Sequence, residues 1–398
     1  MKRSIDDVDR MAAAVTGREQ SIFQDALVQQ WPALRERISG RTVLVTGAGG
    51  FIATATLRVL LSLQPATLVL VDMDENRLAE LIRTLRTEHL VPAGTRVEPR
   101  LVDITTALFD RLLDSVPGVD TCLQFAAAKH VRTERDAVSL LRMMHVNVNG
   151  TLRVTRAVRD RAPAANVFVV STDKAADPSS FMGASKRLME MGALGINPSA
   201  TTTRFANVAF STGSLLESWL IRLRQGQPLA VPADTWRFFV SPQEAGQLCA
   251  IAATAPAGGI VVPDEAATGI SELSAALHRV LAEVGVEPVL VTDEAQLHGA
   301  EVSADAYPVL VTPRDTSGEK QAEEFVGATE RRAPWLPALG VVHSVTDADA
   351  ALDFAGWVDS VVADPTRPVT IEDIAARMHA AVPEFRHQSS DKRLDDRV

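Results

Sequence analysis

Two short stretches hold most of the side chains able to move a proton. Ser171-Thr172-Asp173-Lys174-Ala175 sets a carboxyl beside an amine, and eight residues past Lys174 stands Met182-Gly183-Ala184-Ser185-Lys186. A neighbouring carboxyl and amine can serve as an acid and base pair, provided that burial and neighbours bring each into range. Met182 and Lys186 are four apart and share one face if that stretch is helical. The single tyrosine, Tyr307, has no lysine four residues after it.

A second constellation suits a dinucleotide. The run Thr42 to Thr46 leads into Gly47-Ala48-Gly49-Gly50-Phe51-Ile52-Ala53, and a helix is expected over 54–63. Glycines let the chain turn tightly and bring backbone N–H groups against a pyrophosphate seated on the positive end of the helix. Gly47 and Gly50 hold the first two positions of the fingerprint and Ala53 the third, where alanine is tolerated. The next strand ends in Asp72, a carboxylate suited to the hydroxyls of the adenosine ribose. Met73 follows with no arginine beside it to pair a 2′-phosphate, which favours NAD over NADP. Asp103-Ile104, after the third strand, is placed to edge the adenine.

The elements that must carry these groups follow from periodicity. Strands are expected over 42–46, 67–71, 97–102, 119–125, 167–171 and 201–205, alternating with helical stretches. That alternation predicts an α/β fold, a doubly wound parallel sheet of the Rossmann type with a smaller C-terminal substrate-binding cap. Residues 1–40 read as a helical lead-in, with Ile22, Phe23, Ala26, Leu27 and Trp31 at helical spacing and Pro32 breaking the pattern. The expected division is 41–210 for the dinucleotide-binding domain and 211–340 for the cap, which can share strands with it. Helices are expected over 213–224, 242–253 and 270–283, then at 347–362 and 371–382 within a 341–386 segment. Thr370 and Asp373 cap the last helix, and 387–398 forms a frayed tail.

A net charge of −10 argues against a nucleic-acid partner, which needs a basic surface. No apolar run is long enough to span a bilayer, and the start lacks the order of an export signal, so no membrane association and a cytoplasmic location are expected. Cys122 and Cys249 lie in apolar segments and read as two buried thiols. No His, Cys, Asp and Glu cluster has metal spacing, so no metal is expected.

Several motifs in order carry a family resemblance. They are Ala126-Ala127-Ala128-Lys129-His130-Val131, Asn147-Val148-Asn149-Gly150-Thr151, Ser171-Thr172-Asp173-Lys174-Ala175, Met182-Gly183-Ala184-Ser185-Lys186-Arg187, Arg204-Phe205-Ala206-Asn207-Val208, Arg237-Phe238-Phe239, and Gly318-Glu319-Lys320 followed by Glu323-Glu324. Over roughly 41–330 the chain resembles the nucleoside-diphosphate-sugar 4,6-dehydratases of polysaccharide and flagellin-glycan biosynthesis. These are extended short-chain dehydrogenases/reductases, and the match is to the UDP-N-acetylglucosamine 4,6-dehydratase type. In most short-chain dehydrogenases a tyrosine stands where Met182 stands and serves as the base; the long, membrane-anchored members of this family carry the methionine.

The resemblance implies a nucleotide-sugar substrate and a reaction in which NAD is reduced and regenerated. Lys174 would take the C5 proton and Asp173 would protonate the C6 hydroxyl, with Lys186 holding the nicotinamide ribose. The C4 hydroxyl proton would go to Lys186 through a water or ribose hydroxyl, or to Thr172. Gly47, Gly49, Gly50, Phe51, Ile52, Asp72, Asp103, Ile104, Ala126, Ala127, Lys129 and Asn147 would line the cofactor. Lys129, His130, Arg204, Asn207, Arg237 and Glu319 would meet the substrate, guanidinium and amide groups being suited to a diphosphate. Where the family usually reads Arg-Pro before Gly-Glu-Lys, Thr316-Ser317 stands, so one nucleotide contact differs. The alternatives are a UDP-sugar epimerase or variant dehydratase on the same fold, and a non-catalytic binder of NAD or sugar nucleotide. A homo-oligomer is expected from family habit.

Overall fold

The computed structural model describes residues 7–129, 134, 136–297, 305–314, 320–344 and 346–387. His130 and Glu319 lie outside them. Helices α1 (Val8–Thr16) and α2 (Gln24–Ile38) precede the sheet. Helix α2 runs through Pro32, contrary to the expected break. Val28, whose carbonyl loses its partner four residues before the proline, is 62% exposed, so water can satisfy it. The lead-in packs on the body, with Leu27 and Leu34 in the main core and Arg18 paired to Glu244 at 2.8 Å.

The chain then alternates strand and helix. Strands β1 (Thr42–Thr46), β2 (Thr67–Asp72), β3 (Arg96–Leu101), β4 (Thr121–Gln124), β5 (Asn166–Val170) and β6 (Thr201–Thr203) are joined through α3 (Phe51–Leu61), α4 (Glu75–Thr87), α5 (Leu108–Ser115), α6 (Ala137–Met144), α7 (Thr151–Arg161) and α8 (Phe181–Ile196). The sheet order is β3-β2-β1-β4-β5-β6, continued by strands Ile260–Pro263, Leu339–His343 and Arg331–Leu336. β1 pairs in parallel with β2 on one side and β4 on the other, Val43 facing Leu68 and Thr121. The strand order therefore reverses at β1, which opens a crevice at the carboxyl ends of the strands. Val43, Leu44, Val45, Leu68, Val69 and Leu70 are fully buried, as strands covered on both faces must be.

Two three-stranded sheets complete the chain, one from Asn207–Val208, Trp236–Val240 and Ile270–Glu272, the other from Leu229–Pro232, Glu287–Val291 and Ala306–Thr312. The helix expected to start at residue 270 starts at Leu273, because Ile270–Glu272 pairs as a strand with Trp236–Val240. The last two helices, Ala348–Ala363 and Ile371–Ala381, pack on α8 through Phe181, Phe354 and Phe385, and Thr370 with Asp373 forms a full capping box. Cys122 and Cys249 are buried free thiols. Among the described residues no helix is long and apolar enough to cross a membrane.

Candidate active site

The glycine turn is built for close approach. Gly47 has φ +66°, and a Cβ there would lie 2.5 Å from the Ala126 nitrogen, so the β1 and β4 ends touch backbone to backbone. A Cβ added to Gly49 would likewise lie 2.7 Å from the Cβ of Arg77. Helix α3 starts at Phe51, three residues before the expected start, with Gly50 as its N-cap and no side chain closing it. The first N–H groups of α3, at Phe51, Ile52 and Ala53, have no partner within the helix, and its positive end is open to an anion.

Beside the turn is a cavity of about 540 Å³. Gly47, Gly50, Asp72, Asp103, Ile104, Ala126 and Ala127 all line it, so sequence positions far apart converge on one groove. The Asp72 carboxylate accepts the Gly49 N–H at 2.9 Å and the Asp74 N–H at 3.0 Å, which fixes the turn and leaves lone pairs for a ribose. A glycine cradle, an uncapped helix end and a carboxylate at the far side together fit a dinucleotide. The absence of an arginine next to Met73 along the chain does not carry over into space. Arg142 lies 3.5 Å from the Met73 sulfur and pairs with Asp103 at 3.2 Å, and Arg77 lines the cavity.

The chemical centre stands at the carboxyl end of β5. Thr172 caps a 3₁₀ turn, Asp173–Ala175, and the Asp173 N–H reaches the Phe205 carbonyl at 3.3 Å beyond β6. Asp173 is 2% exposed, and its Oδ1 accepts from the Thr172 hydroxyl (2.9 Å), the Lys174 N–H (2.9 Å) and Lys174 Nζ (3.1 Å). Lys174 Nζ also lies 3.4 Å from Glu323 Oε1. Burial presses the Lys174 amine toward neutrality and Arg237 adds to that, but Asp173 and Glu323 outweigh both. Its pKa stands above the ordinary lysine value, so the amine is an ammonium rather than partly neutral. Helix α8 leans directly on this turn, since a Cβ on Gly183 would sit 2.4 Å from the Lys174 carbonyl oxygen.

Lys186 is 4% exposed; its Nζ donates to the Val170 carbonyl at 2.8 Å, and burial pushes its pKa down to about 8. The two lysines thus flank the end of one strand. Asn147, in a π-helical turn between α6 and α7, gives its amide N–H groups to the Ala128 carbonyl and the Ser185 hydroxyl, both at 2.9 Å, and accepts the Ala128 N–H. It ties the Ala126–Lys129 loop to α8 and acts on the site by position. Lys129 is exposed, within electrostatic reach of Glu217 and Arg77. Met182 is 5% exposed and packs in the cluster that joins α8 to the last helices.

The expected substrate residues separate. Asn207 begins the short strand after β6, and its buried Nδ2 has no hydrogen-bond partner among the described residues. Arg237 donates to the Lys320 and Gln321 carbonyls (3.0 and 3.2 Å), so it holds the segment that delivers Glu323. Arg204 requires a correction. It is fully buried, its guanidinium bound by Glu190 and Glu330 and by the Phe325 carbonyl, so its donors brace the fold and none faces a ligand.

Three residues were not foreseen. Glu323 sits in a noted motif without a role, Arg77 had no sequence signal, and Glu134 accepts the Met182 N–H at 2.9 Å, burial raising its pKa to about 7.

Comparison with known proteins places this geometry. The chain is 26% identical over 251 residues to the capsular polysaccharide biosynthesis protein CapD of Staphylococcus aureus, covering 61% of this chain and 41% of that protein. It is 27% identical over 327 residues to the probable polysaccharide biosynthesis protein EpsC of Bacillus subtilis, covering 79% and 50%. The chain therefore spans half or less of the length of these relatives. The X-ray structure of Pen from Bacillus thuringiensis superposes with a TM-score of 0.62 at 20% identity, covering 77% of this chain and 87% of that one, which shows a shared fold. The family described as polysaccharide biosynthesis protein matches residues 43–332, and the chain belongs to that family.

Proposed function

We propose that the chain is an NAD-dependent nucleotide-sugar 4,6-dehydratase acting on a UDP-N-acetylhexosamine. The observation that carries the reading is the Asp173–Lys174 ion pair at the carboxyl end of β5, on the same end of the parallel sheet as the glycine turn that follows β1. Among the described residues Asp173 Oδ2, Glu323 Oε2 and Asn207 Nδ2 are buried without hydrogen-bond partners, which a bound polar ligand would supply.

Gly47, Gly49, Gly50 and the first turn of α3 would hold the pyrophosphate, with Phe51 and Ile52 supplying backbone N–H groups. Asp72 would hold the adenosine ribose, Asp103 and Ile104 the adenine edge, and Ala126 and Ala127 the wall opposite. The Asp72 carboxylate repels a 2′-phosphate, which favours NAD. Bound there, NAD would supply reversible hydride chemistry for the sugar, so no external reductant would be consumed.

The protein's own groups do the rest. Lys186 would orient the nicotinamide ribose and favour loss of the C4 hydroxyl proton by its charge. A ketone at C4 acidifies the C5 hydrogen, which Lys174 would take, and Asp173, bound to Lys174 Nζ, would relay that proton to the departing C6 hydroxyl. Asn207 and Arg237, with Lys129 at the rim, would hold the nucleotide diphosphate.

Incubation with a UDP-N-acetylhexosamine and NAD, followed by mass spectrometry, tests the reading. A product lighter by one water supports it. An isomer of unchanged mass points to epimerisation, and no turnover on any UDP-sugar points to a binding protein.

A further inference from the structure

Lys174 presents a contradiction that the Asp173–Lys174 pair alone does not resolve. A lysine that is to take a proton from carbon must first lose one, yet Asp173 and Glu323 together hold it as an ammonium. Among the described residues the charged groups acting on its Nζ are Asp173 on its own turn, Glu323 on the segment after Lys320, and Arg237 on the strand Trp236–Val240.

The two carboxylates are not equivalent. Asp173 Oδ1 keeps the Thr172 hydroxyl and the Lys174 N–H as donors even if the ammonium turns away. Glu323 is 3% exposed, and Lys174 Nζ is the one donor near it among the described residues; its Oε2 is buried with no partner. Glu323 is thus the carboxylate free to take the lysine's proton, since Asp173 Oδ1 is already engaged by two other donors. Its position is fixed from several sides. Phe325 is fully buried and stacks on Phe238 at 4.9 Å, and Arg237 grips the carbonyls of 320 and 321.

We propose that Glu323 is the positioning residue that makes Lys174 a base, by receiving its proton within the closed site. In this step one N–H bond of the ammonium breaks and one O–H bond forms on Glu323, giving a neutral amine and a neutral acid with no proton exchanged with solvent. The amine then takes the C5 proton, the ammonium so formed passes a proton through the Asp173 carboxylate to the departing C6 hydroxyl, and Glu323 stays protonated until product leaves, when it returns its proton to the amine. The inference rests on the dehydratase reading.

The test is the rate of C5 deuterium wash-in from D2O into a UDP-N-acetylhexosamine, measured against pH for the wild type and for Glu323→Gln. An internal transfer makes the wild-type rate level across roughly pH 5.5 to 7.5, below the pH of about 8 at which Lys186 loses its charge, because the proton count of the pair does not change. In Glu323→Gln the amine must release its proton to solvent. The rate then rises about tenfold per pH unit, weak at neutral pH and recovering toward wild type in alkali. Two results overturn the inference while leaving the dehydratase reading intact: a rising limb already present in the wild type that moves to lower pH in the variant, as an ordinary ion pair requires, or identical profiles. Absence of wild-type wash-in on any UDP-hexosamine overturns the dehydratase reading, and this inference with it.

Discussion

Lys186 shows what a single buried charge does to this protein. Its amine is pushed from 10.5 to about 8 by burial, with Glu190 opposing. Between those values the unfolded chain binds a proton that the folded one does not, so stability rises as pH climbs from about 8 toward 10.5. Below about 8 the folded protein carries the full cost of an ammonium with little solvent. Lys186→Met should therefore be more stable than the wild type at pH 7, by on the order of 2 kcal/mol after loss of the bond to Val170. The gap should close as pH approaches about 10.5. Urea denaturation at several pH values checks this, and a variant less stable at pH 7 would contradict it. A lysine kept at such a cost has a use that a methionine would not serve, which is why the site is read as one that handles charge.

At the level of elements, the glycine turn was legible because its requirements are local. A strand, three glycines within four residues and a helix are contiguous, and a carboxylate ends the next strand. Gly47→Ala would put a Cβ 2.5 Å from the Ala126 nitrogen at φ +66°. NAD affinity should fall at least about tenfold, with about 1 kcal/mol or more lost from folding. Fluorescence titration and thermal melting measure the two effects, and unchanged affinity would show that the cofactor does not lie against this turn. Other features needed contacts between distant segments. Nothing near Gly183 announces that it seats on the Lys174 carbonyl, and nothing near residue 28 announces that solvent would let α2 continue past Pro32. Tertiary pairing also took Ile270–Glu272 from the expected helix into a strand.

Across the whole molecule, ionic contacts decide which charges are available for function. Arg187 and Arg204 lie among Glu190, Glu330 and Glu384, joining α8, β6 and the segments around 330 and 384. Arg204 was expected at the substrate because its residue type suits phosphate, but sequence does not reveal which carboxylates will surround an arginine. Glu190 and Glu330 lie on either side of it along the chain and claim it in space. The same limit hid Glu323 and Glu134, single acids without a periodic pattern, whereas Asp173 and Lys174 were legible as neighbours following a strand. The central claim is that this pair works on a sugar's C5 hydrogen. It is tested most directly by incubating the wild type and Lys174→Ala with a UDP-N-acetylhexosamine and NAD in D2O. The account predicts deuterium at C5 of a dehydrated wild-type product and none with Lys174→Ala, which should still bind NAD. Deuterium at C5 at an undiminished rate in Lys174→Ala would contradict it.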